Sequence, residues 1–157
     1  MPVQVAVCGP GECTEREWDH AHETGRLLAA HGAVVVCGGH GGVMAAAAAG
    51  ARGAGGIVVG VLPAADRSAA GPDLTVVLPT GLGQARNNVV VNAADAVIVV
   101  GGSWGTLSEL ALAMRRSAVP VVQLAGWRVH DEDGRPLGGV VHAADPAEAV
   151  GATGLFG

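Results

Sequence analysis

The hydrophobic positions of the chain fall into six short runs that are apolar at nearly every residue. Valine and isoleucine dominate them, as in "AVVVCGG" and "DAVIVVGG". Strands that are apolar on both faces are typical of a parallel sheet that helices cover on both sides. The sequence therefore predicts six buried strands, at residues 3–9, 33–39, 56–63, 74–81, 95–102 and 119–126.

Segments with helical character separate most of these strands. The first begins with a Thr-x-x-Glu capping box at Thr14 and Glu17 and ends near Gly32, since glycine is favoured just after a helix. The second is rich in alanine, which allows close packing on a sheet. The predicted helices cover residues 15–31, 42–54, 83–93 and 105–117, with a short last helix at 146–153 that starts at Pro146, whereas residues 64–73 and 127–146 are expected to be irregular.

Strands that alternate with helices predict an α/β fold. We expect a three-layer, Rossmann-like arrangement with a mostly parallel, doubly wound sheet and right-handed crossovers. The chain is long enough to bury a core of its own, and no linker composition divides it. We therefore expect a single domain that spans residues 1–157.

Composition and charge narrow the classes of partner. The chain has no lysine, nine arginines and a net charge of -5, which argues against nucleic-acid binding because that function needs a basic face. No apolar run approaches the ~20 residues of a membrane span, and the start of the chain lacks the positive region of a signal peptide.

The three cysteines fit a cytoplasmic location. Their spacing matches no zinc pattern, so no metal site is expected.

Glycine-rich loops follow four of the predicted strands. In a parallel sheet these loops meet at the carboxyl edge, where ligands bind, and bare backbone amides beside helix starts suit phosphate. The alternative is that the glycines only make tight turns. The chain contains neither a P-loop, which needs a lysine, nor a full Gly-x-Gly-x-x-Gly fingerprint. The candidate phosphate-binding positions are Gly9, Pro10 and Gly11; Gly38, Gly39, Gly41 and Gly42; Thr80 and Gly81; and Gly101, Gly102, Ser103, Trp104, Gly105 and Thr106.

Arg86 is one of the few cations expected near this edge. Its planar guanidinium suits bidentate contact with a phosphate. The alternative is a surface arginine that pairs with a carboxylate on its own helix. The amides Asn87 and Asn88 favour the first interpretation, because they would form a polar rim on a cleft. His40 lies inside the second glycine loop, within reach of the same ligand.

Glu109 follows the fifth glycine loop and has two interpretations. Thr106 and Glu109 have the spacing of a capping box, in which the glutamate only satisfies the start of a helix. Alternatively, the carboxylate acts as a general acid or base or binds a ribose hydroxyl. Trp104 likewise either stacks on the ring of a ligand or covers the core.

The segment "GGSWGTLSE" resembles the Pro-Gly-Gly-x-Gly-Thr-x-x-Glu motif of the Lonely Guy-type, or lysine decarboxylase-like, proteins. The likeness extends from Gly9-Pro-Gly through "GGHGGVM" to "GGSWGTLSELALA". In the phosphoribohydrolases of this family, the residues that match Arg86 and Glu109 act in cleaving a nucleoside 5′-monophosphate into free base and ribose 5-phosphate. The resemblance also implies a homodimer or homotetramer, with the helices at 83–93 and 105–117 as candidate interfaces.

Two positions depart from the phosphoribohydrolase pattern. Val100 replaces the proline of the motif, and Asn87 stands where those enzymes have lysine. These departures resemble the branch of molybdenum-cofactor carrier proteins, whose members bind the phosphate end of the pterin cofactor. Two functions therefore stay open. One is a binding protein for a phosphorylated nucleotide or pterin. Its ligand would be molybdenum cofactor or a nucleoside monophosphate, and it would require no other cofactor. The other is a hydrolase that uses Arg86 and Glu109 as catalytic residues.

Overall fold

A computed structural model describes all 157 residues of the chain. It contains one parallel sheet of seven strands and helices on both faces. The strands are β1 (Gln4–Cys8), β2 (Val34–Cys37), β3 (Val58–Leu62), β4 (Val76–Pro79), β5 (Ala96–Val100), β6 (Val121–Leu124) and β7 (Val141–Ala143). The helices are α1 (Glu15–Ala30), α2 (Val43–Gly53), α3 (Arg86–Asn92), α4 (Trp104–Arg116) and α5 (Pro146–Ala152), and a single 3₁₀ turn covers Gly83–Ala85.

The strand order is β4-β3-β2-β1-β5-β6-β7, and every neighbouring pair is parallel. The chain builds outward from β1 in one direction as far as β4, and then returns to the other side of β1 with β5. The predicted α/β, doubly wound, Rossmann-like fold is therefore confirmed. Such a sheet has its crevice where the order reverses, here between the carboxyl ends of β1 and β5.

The six predicted strands and five predicted helices all exist, but three details differ. Strand β7 lies in the segment 127–146, which the sequence predicted to be irregular. It is three residues long and only Ala143 is buried, so it has no apolar run to reveal it. The helix predicted at 83–93 begins as a 3₁₀ turn, because Gly83 has a positive φ of 57°. The observed strands are also shorter than their apolar runs.

The core divides into two layers, one on each face of the sheet. One layer lies between the sheet and α1, α2 and α5, and it contains Val5, Val7 and Ile98. The other lies between the sheet and α3 and α4, and it contains Ala6 and Val97. The alternation of β1 residues between the two layers explains why its apolar run is continuous, since both faces of that strand are buried.

Helix α1 has the predicted capping box. The Glu17 amide donates to the Thr14 Oγ1 at 3.1 Å, and the Thr14 amide donates to the Glu17 carboxylate at 2.9 Å. Close packing against α2 then depends on two glycines. A Cβ at Gly25 would overlap the carbonyl group of Ala47, and a Cβ at Gly50 would overlap the carbonyl group of His22. The two helices therefore approach backbone to backbone.

No helix in the structure combines the length and the apolar character needed to cross a bilayer.

Replacing Gly50 by alanine should destabilise the protein, because the new Cβ must push α1 away from α2. We expect a loss of roughly 1–3 kcal/mol or more in the free energy of unfolding, as for other overpacked cores. Gly53→Ala is the matched control in the same helix, since a Cβ there meets no atom within 4 Å. It should be neutral or stabilising by up to about 1 kcal/mol. Urea denaturation of both variants measures the difference, and equal stability of the two would contradict the close-packing account.

Candidate functional site

A cavity of about 470 Å³ opens at the carboxyl edge of the sheet, at the point where the strand order reverses. Its walls come from the loops after β1, β2, β3 and β5, from the 3₁₀ turn after β4, from the starts of α2 and α3, and from the first two turns of α4. This volume lies within the range of small-molecule sites. The lining residues are Gly9, Pro10, Gly11, His40, Met44, Pro63, Gly83, Gln84, Arg86, Asn87, Ser103, Trp104, Gly105, Thr106, Ser108 and Glu109.

Eleven of the positions predicted from the sequence line this cavity. They are Gly9, Pro10, Gly11, His40, Arg86, Asn87, Ser103, Trp104, Gly105, Thr106 and Glu109. The structure does not bring the other eight to its wall, namely Gly38, Gly39, Gly41, Gly42, Thr80, Gly81, Gly101 and Gly102. The wall also includes residues that the sequence did not single out. Gln84 and Ser108 are near neighbours of Arg86 and Glu109 along the chain, whereas no pattern marks Met44 or Pro63.

The glycines outside the wall have structural tasks that bring the loops together. Gly42 has a positive φ of 60°, and a Cβ there would lie 2.6 Å from the Gly11 carbonyl oxygen. Gly101 has a positive φ of 74°, and a Cβ there would lie 2.5 Å from the Glu17 carboxylate. At these two positions the tight-turn interpretation of the glycines describes what the structure shows.

Gly38 supports Arg86 directly. A Cβ at this position would overlap the Arg86 guanidinium and would lie 2.6 Å from the Met44 sulfur. The bare backbone at the end of β2 thus forms the floor on which the guanidinium lies.

Arg86 is the first residue of α3 and has no carboxylate partner. Its Nη1 donates to the Asn87 side-chain oxygen at 3.1 Å, and Asn87 is itself buried. The Arg86 Nε is buried and has no hydrogen-bond partner. The two ion pairs of the chain lie elsewhere, between Arg26 and Glu23 and between Arg135 and Asp133. The alternative of a surface arginine paired on its own helix is therefore wrong.

Glu109 lies in the second turn of α4 and is only 7% exposed. Ser103, not Thr106, caps this helix: the Ser103 Oγ accepts from the Thr106 amide at 3.2 Å. The helix begins two residues before Thr106, so Glu109 lies one turn too far along to cap it. The capping-box interpretation of Thr106 and Glu109 is therefore wrong, and the carboxyl group is free to face the cavity.

Burial raises the pKa of the Glu109 carboxyl, because a charge is poorly solvated there. The Cys8 thiol, as a hydrogen-bond donor, and the positive charge of Arg86 oppose this effect without cancelling it. Cys8 is buried at the end of β1. Burial raises the pKa of its thiol, and the neighbouring Glu109 raises it further. The thiol therefore stays protonated and acts as a small core group beside Glu109.

His40 completes the titratable side chains of the cavity wall. Its Nε2 is buried and has no hydrogen-bond partner. Burial lowers the pKa of the imidazole, and the positive charge of Arg86 lowers it further. In the whole chain three buried side-chain atoms lack partners, and the nitrogens of His40 and Arg86 are two of them. Two of the three buried side-chain atoms without partners therefore line the same cavity, whereas the third, the Nδ1 of His20, lies on α1.

Trp104 lies at the cavity and is 79% exposed, so it does not cover the core. Its ring meets the edge of Trp127, with centroids 5.0 Å apart and planes at 83°. An exposed tryptophan held by a second one offers a flat apolar face to a ring. The site thus combines an arginine that has no carboxylate partner with an aromatic surface, and no group of three or more potential metal ligands lies in the structure.

Comparison with known proteins places these features in context. A family model described as the SLOG cluster4 family matches residues 2–150. A protein of Archaeoglobus fulgidus is 40% identical over 134 residues, which cover 82% of this chain and 88% of the relative.

Two solved structures are similar over nearly their full lengths. The molybdenum cofactor binding protein of Rippkaea orientalis has a TM-score of 0.86 and 32% identity, covering 96% of this chain and 94% of that chain. The molybdenum cofactor carrier protein of Chlamydomonas reinhardtii has a TM-score of 0.83 and 31% identity, covering 99% and 98%.

Glu109→Gln should stabilise the protein at neutral pH, by on the order of 1 kcal/mol. A carboxyl whose pKa is raised on folding binds its proton more tightly in the folded state, so stability falls as pH rises through that pKa. The amide lacks this cost. Below the ordinary glutamate pKa of 4.5 the carboxyl is protonated in both states, and the difference should vanish. Urea titrations between acidic and neutral pH measure it. Glu12→Gln, at an exposed carboxylate, is the control and should show no such gain.

Proposed function

Because the chain belongs to the SLOG cluster4 family, we propose that it binds the phosphate end of a phosphorylated nucleotide or pterin, as a carrier of the molybdenum cofactor. The match and the related structures confirm the resemblance to Lonely Guy-type proteins and to their molybdenum-cofactor carrier branch. In this proposal the ligand lies in the cavity at the carboxyl edge of the sheet, with its phosphate on the wall formed by Arg86.

One observation carries the proposal: the Arg86 guanidinium is part-buried without a counter-charge. Its Nη1 is occupied by Asn87, whereas its Nε has no partner. An arginine donates through a planar fork, and the edge that contains Nε and Nη2 matches two oxygens of one phosphate. A buried donor without a partner is costly in a native structure. An anionic ligand supplies both the missing acceptor and the missing charge.

The surroundings of Arg86 fit a phosphate ester better than a free anion. The loop Gly9–Gly11 approaches without side chains at its two glycines, so backbone amides can contact a ligand. The Ser103 cap places the N-terminus of the 13-residue helix α4 at the same cavity, and that end of a helix favours negative charge. Trp104 offers a stacking surface for the ring of the ligand.

The pterin form of the ligand is favoured by the related structures. The proteins of Rippkaea orientalis and Chlamydomonas reinhardtii bind or carry the molybdenum cofactor and match almost the whole length of this chain. Asn87 and Val100, where the sequence departs from the phosphoribohydrolases, agree with this assignment. In the carrier the cofactor is cargo: Arg86 and His40 hold its phosphate end, and Trp104 contacts its ring system.

A second candidate function is hydrolysis of a nucleoside 5′-monophosphate, and the position of Glu109 favours it. The carboxyl lines the same cavity as Arg86, and burial raises its pKa, as in many general acids and bases. In this reaction the bond between the base and the ribose C1′ breaks. The oxygen of water bonds to C1′, and one proton of that water ends on the departing base.

We extend the proposal to the organisation of the protein. The chain forms a single domain over residues 1–157 and assembles as a homodimer or homotetramer in the cytoplasm, with helices α3 and α4 as the candidate interface. The exposed Val89 on α3 supports this choice of surface. The net charge of -5 disfavours nucleic acid as a partner.

Arg86→Met should weaken the binding of adenosine 5′-monophosphate, the phosphate-ester probe, by about tenfold to a hundredfold, the range for losing hydrogen bonds to a charged group. Calorimetric titration measures the affinity. Arg67→Met removes an arginine from an exposed loop outside the cavity and should bind as the unchanged protein does. An equal loss of affinity in both variants would indicate general charge attraction and would refute the assignment of Arg86 as the phosphate-binding residue.

Release of adenine separates the two candidate functions. The protein is incubated with adenosine 5′-monophosphate and free base is measured by chromatography, with Glu109→Gln alongside. A carrier retains molybdenum and pterin through gel filtration after loading with cofactor released from a molybdenum enzyme, and it produces no adenine. Adenine release that disappears in Glu109→Gln would replace the carrier assignment with the hydrolase.

Gly38→Ala should weaken the same binding without unfolding the protein. The new Cβ displaces the guanidinium of Arg86, which is the mobile end of a long side chain, so stability changes little. We expect at least a tenfold loss of affinity for adenosine 5′-monophosphate, equivalent to one hydrogen bond with a charged group. The control is Gly41→Ala in the same loop, where a Cβ would lie 3.5 Å from the Gly11 carbonyl oxygen. If the two variants bind equally well, Gly38 has no part in positioning Arg86.

A further inference from the structure

His40 is a histidine without a partner at the place where the proposed phosphate binds. It belongs to the loop between β2 and α2, and it lines the cavity together with Arg86. Its Nε2 is buried and has no hydrogen-bond partner. The neutral ring has one donor and one acceptor nitrogen, whereas the protonated ring has two donors. The ring can therefore meet an incoming anion as a second donor beside Arg86.

Three elements around His40 carry charged side chains, namely α3, α4 and the loop at 64–73. Arg86 on α3 and Glu109 on α4 share the cavity wall with it. The loop at 64–73, which packs against Gly39 through the Gly71 amide, carries Asp66, Arg67 and Asp73. Of these groups only Arg86 shifts the pKa of the imidazole, and it lowers that pKa together with burial. No carboxylate stabilises a charged imidazole in the free protein.

We propose, on the basis of the proposed function, that His40 couples ligand binding to the uptake of one proton. At neutral pH the imidazole is uncharged in the free protein, because burial and the positive charge of Arg86 both lower its pKa. A phosphate dianion on Arg86 reverses that field. The imidazole then takes a proton from solvent and donates a charged hydrogen bond to the phosphate. The site thereby binds a dianion that keeps both of its charges more tightly at low pH than at high pH.

The sign of the effect follows from linkage. A ligand that raises the pKa of a group binds more tightly below that pKa, and the total gain is tenfold for each unit by which the pKa rises. Affinity should therefore fall as pH rises through the interval between the pKa of His40 in the free protein, which is below its ordinary 6.5, and the pKa in the complex.

Glu109 acts in the same direction and must be separated from His40. Its pKa is also raised, and protonation of this carboxyl removes a negative charge from the site. The variant His40→Gln keeps Glu109 and removes only the imidazole. The control His142→Gln removes a different histidine whose pKa is lowered by burial and by Arg128. That residue lies outside the cavity of Arg86.

The test measures the affinity for sulfate and for adenosine 5′-monophosphate from about pH 5 to pH 8, the range in which histidine titrates. Sulfate keeps both charges throughout, so the pH dependence of its binding belongs to the protein. We expect the affinity of the unchanged protein and of His142→Gln for sulfate to fall by about tenfold across this range, the effect of a one-unit rise in pKa. The slope should be clearly smaller in His40→Gln.

An independent readout needs no variant of the site. Nuclear magnetic resonance follows the imidazole of His40 in the unchanged protein, with and without saturating sulfate. Its pKa should rise by about one unit on binding, while that of His142 stays constant. Adenosine, which has no phosphate, should leave both unchanged.

Two results would overturn the inference in distinguishable ways. If sulfate and adenosine 5′-monophosphate bind but the pKa of His40 stays constant and His40→Gln keeps the full slope, proton uptake by His40 is refuted while the phosphate site stands. If neither probe binds the unchanged protein at any pH, the phosphate site itself is refuted and the coupling with it.

Discussion

The Arg86 guanidinium can lie over the end of β2 only because position 38 carries no side chain. This contact places the Arg86 guanidinium at the carboxyl edge of the sheet. Any larger residue at Gly38 would occupy the space of the guanidinium. Asn87 then fixes one end of the group through a neutral oxygen instead of a carboxylate. The result is a cation whose position is fixed by packing and whose charge is left for a ligand. Burying a charge without a partner is costly, so a native structure that does so has a use for it.

The topology of the sheet supplies the rest of the site. Because all strands are parallel, their following loops emerge on one edge, and the reversal of order between β1 and β5 leaves room there. Helices α3 and α4 cover one face and bring Arg86 and Glu109 to the crevice, while the loop before α2 brings His40 from the other side. Three side chains that are far apart in sequence thereby share one small volume, and the positive charge of Arg86 acts to lower the pKa of both His40 and Glu109.

Both proposed functions, the carrier and the hydrolase, would hold a phosphate on Arg86, so one family pattern is compatible with both. The two functions differ in the role of Glu109. A carrier needs the carboxyl only as a wall of the cavity, whereas a hydrolase needs it to move charge or protons at the sugar. Its burial raises its pKa and favours the protonated form, against the opposing effects of the Cys8 thiol and of Arg86. The structural relatives that bind the molybdenum cofactor favour the carrier, as do Asn87 and Val100.

The sequence by itself determined the α/β alternation, six of the seven strands, the capping box of α1 and the place of Arg86 and Glu109 at the carboxyl edge of the sheet, because each depends on short-range periodicity or on a local motif. It placed the start of α4 one residue too late, because Ser103 and Thr106 are both local candidates for the cap and the sequence pattern favoured the second. It missed β7 because that short edge strand has no apolar run. Only the tertiary structure decided which glycines line the cavity and which hold the loops together. It alone showed that Gly38 supports Arg86 and that His40 and Arg86 have nitrogens without partners. Those properties depend on contacts between residues distant in the chain, and such contacts exist only after the sheet has brought its loops to one edge.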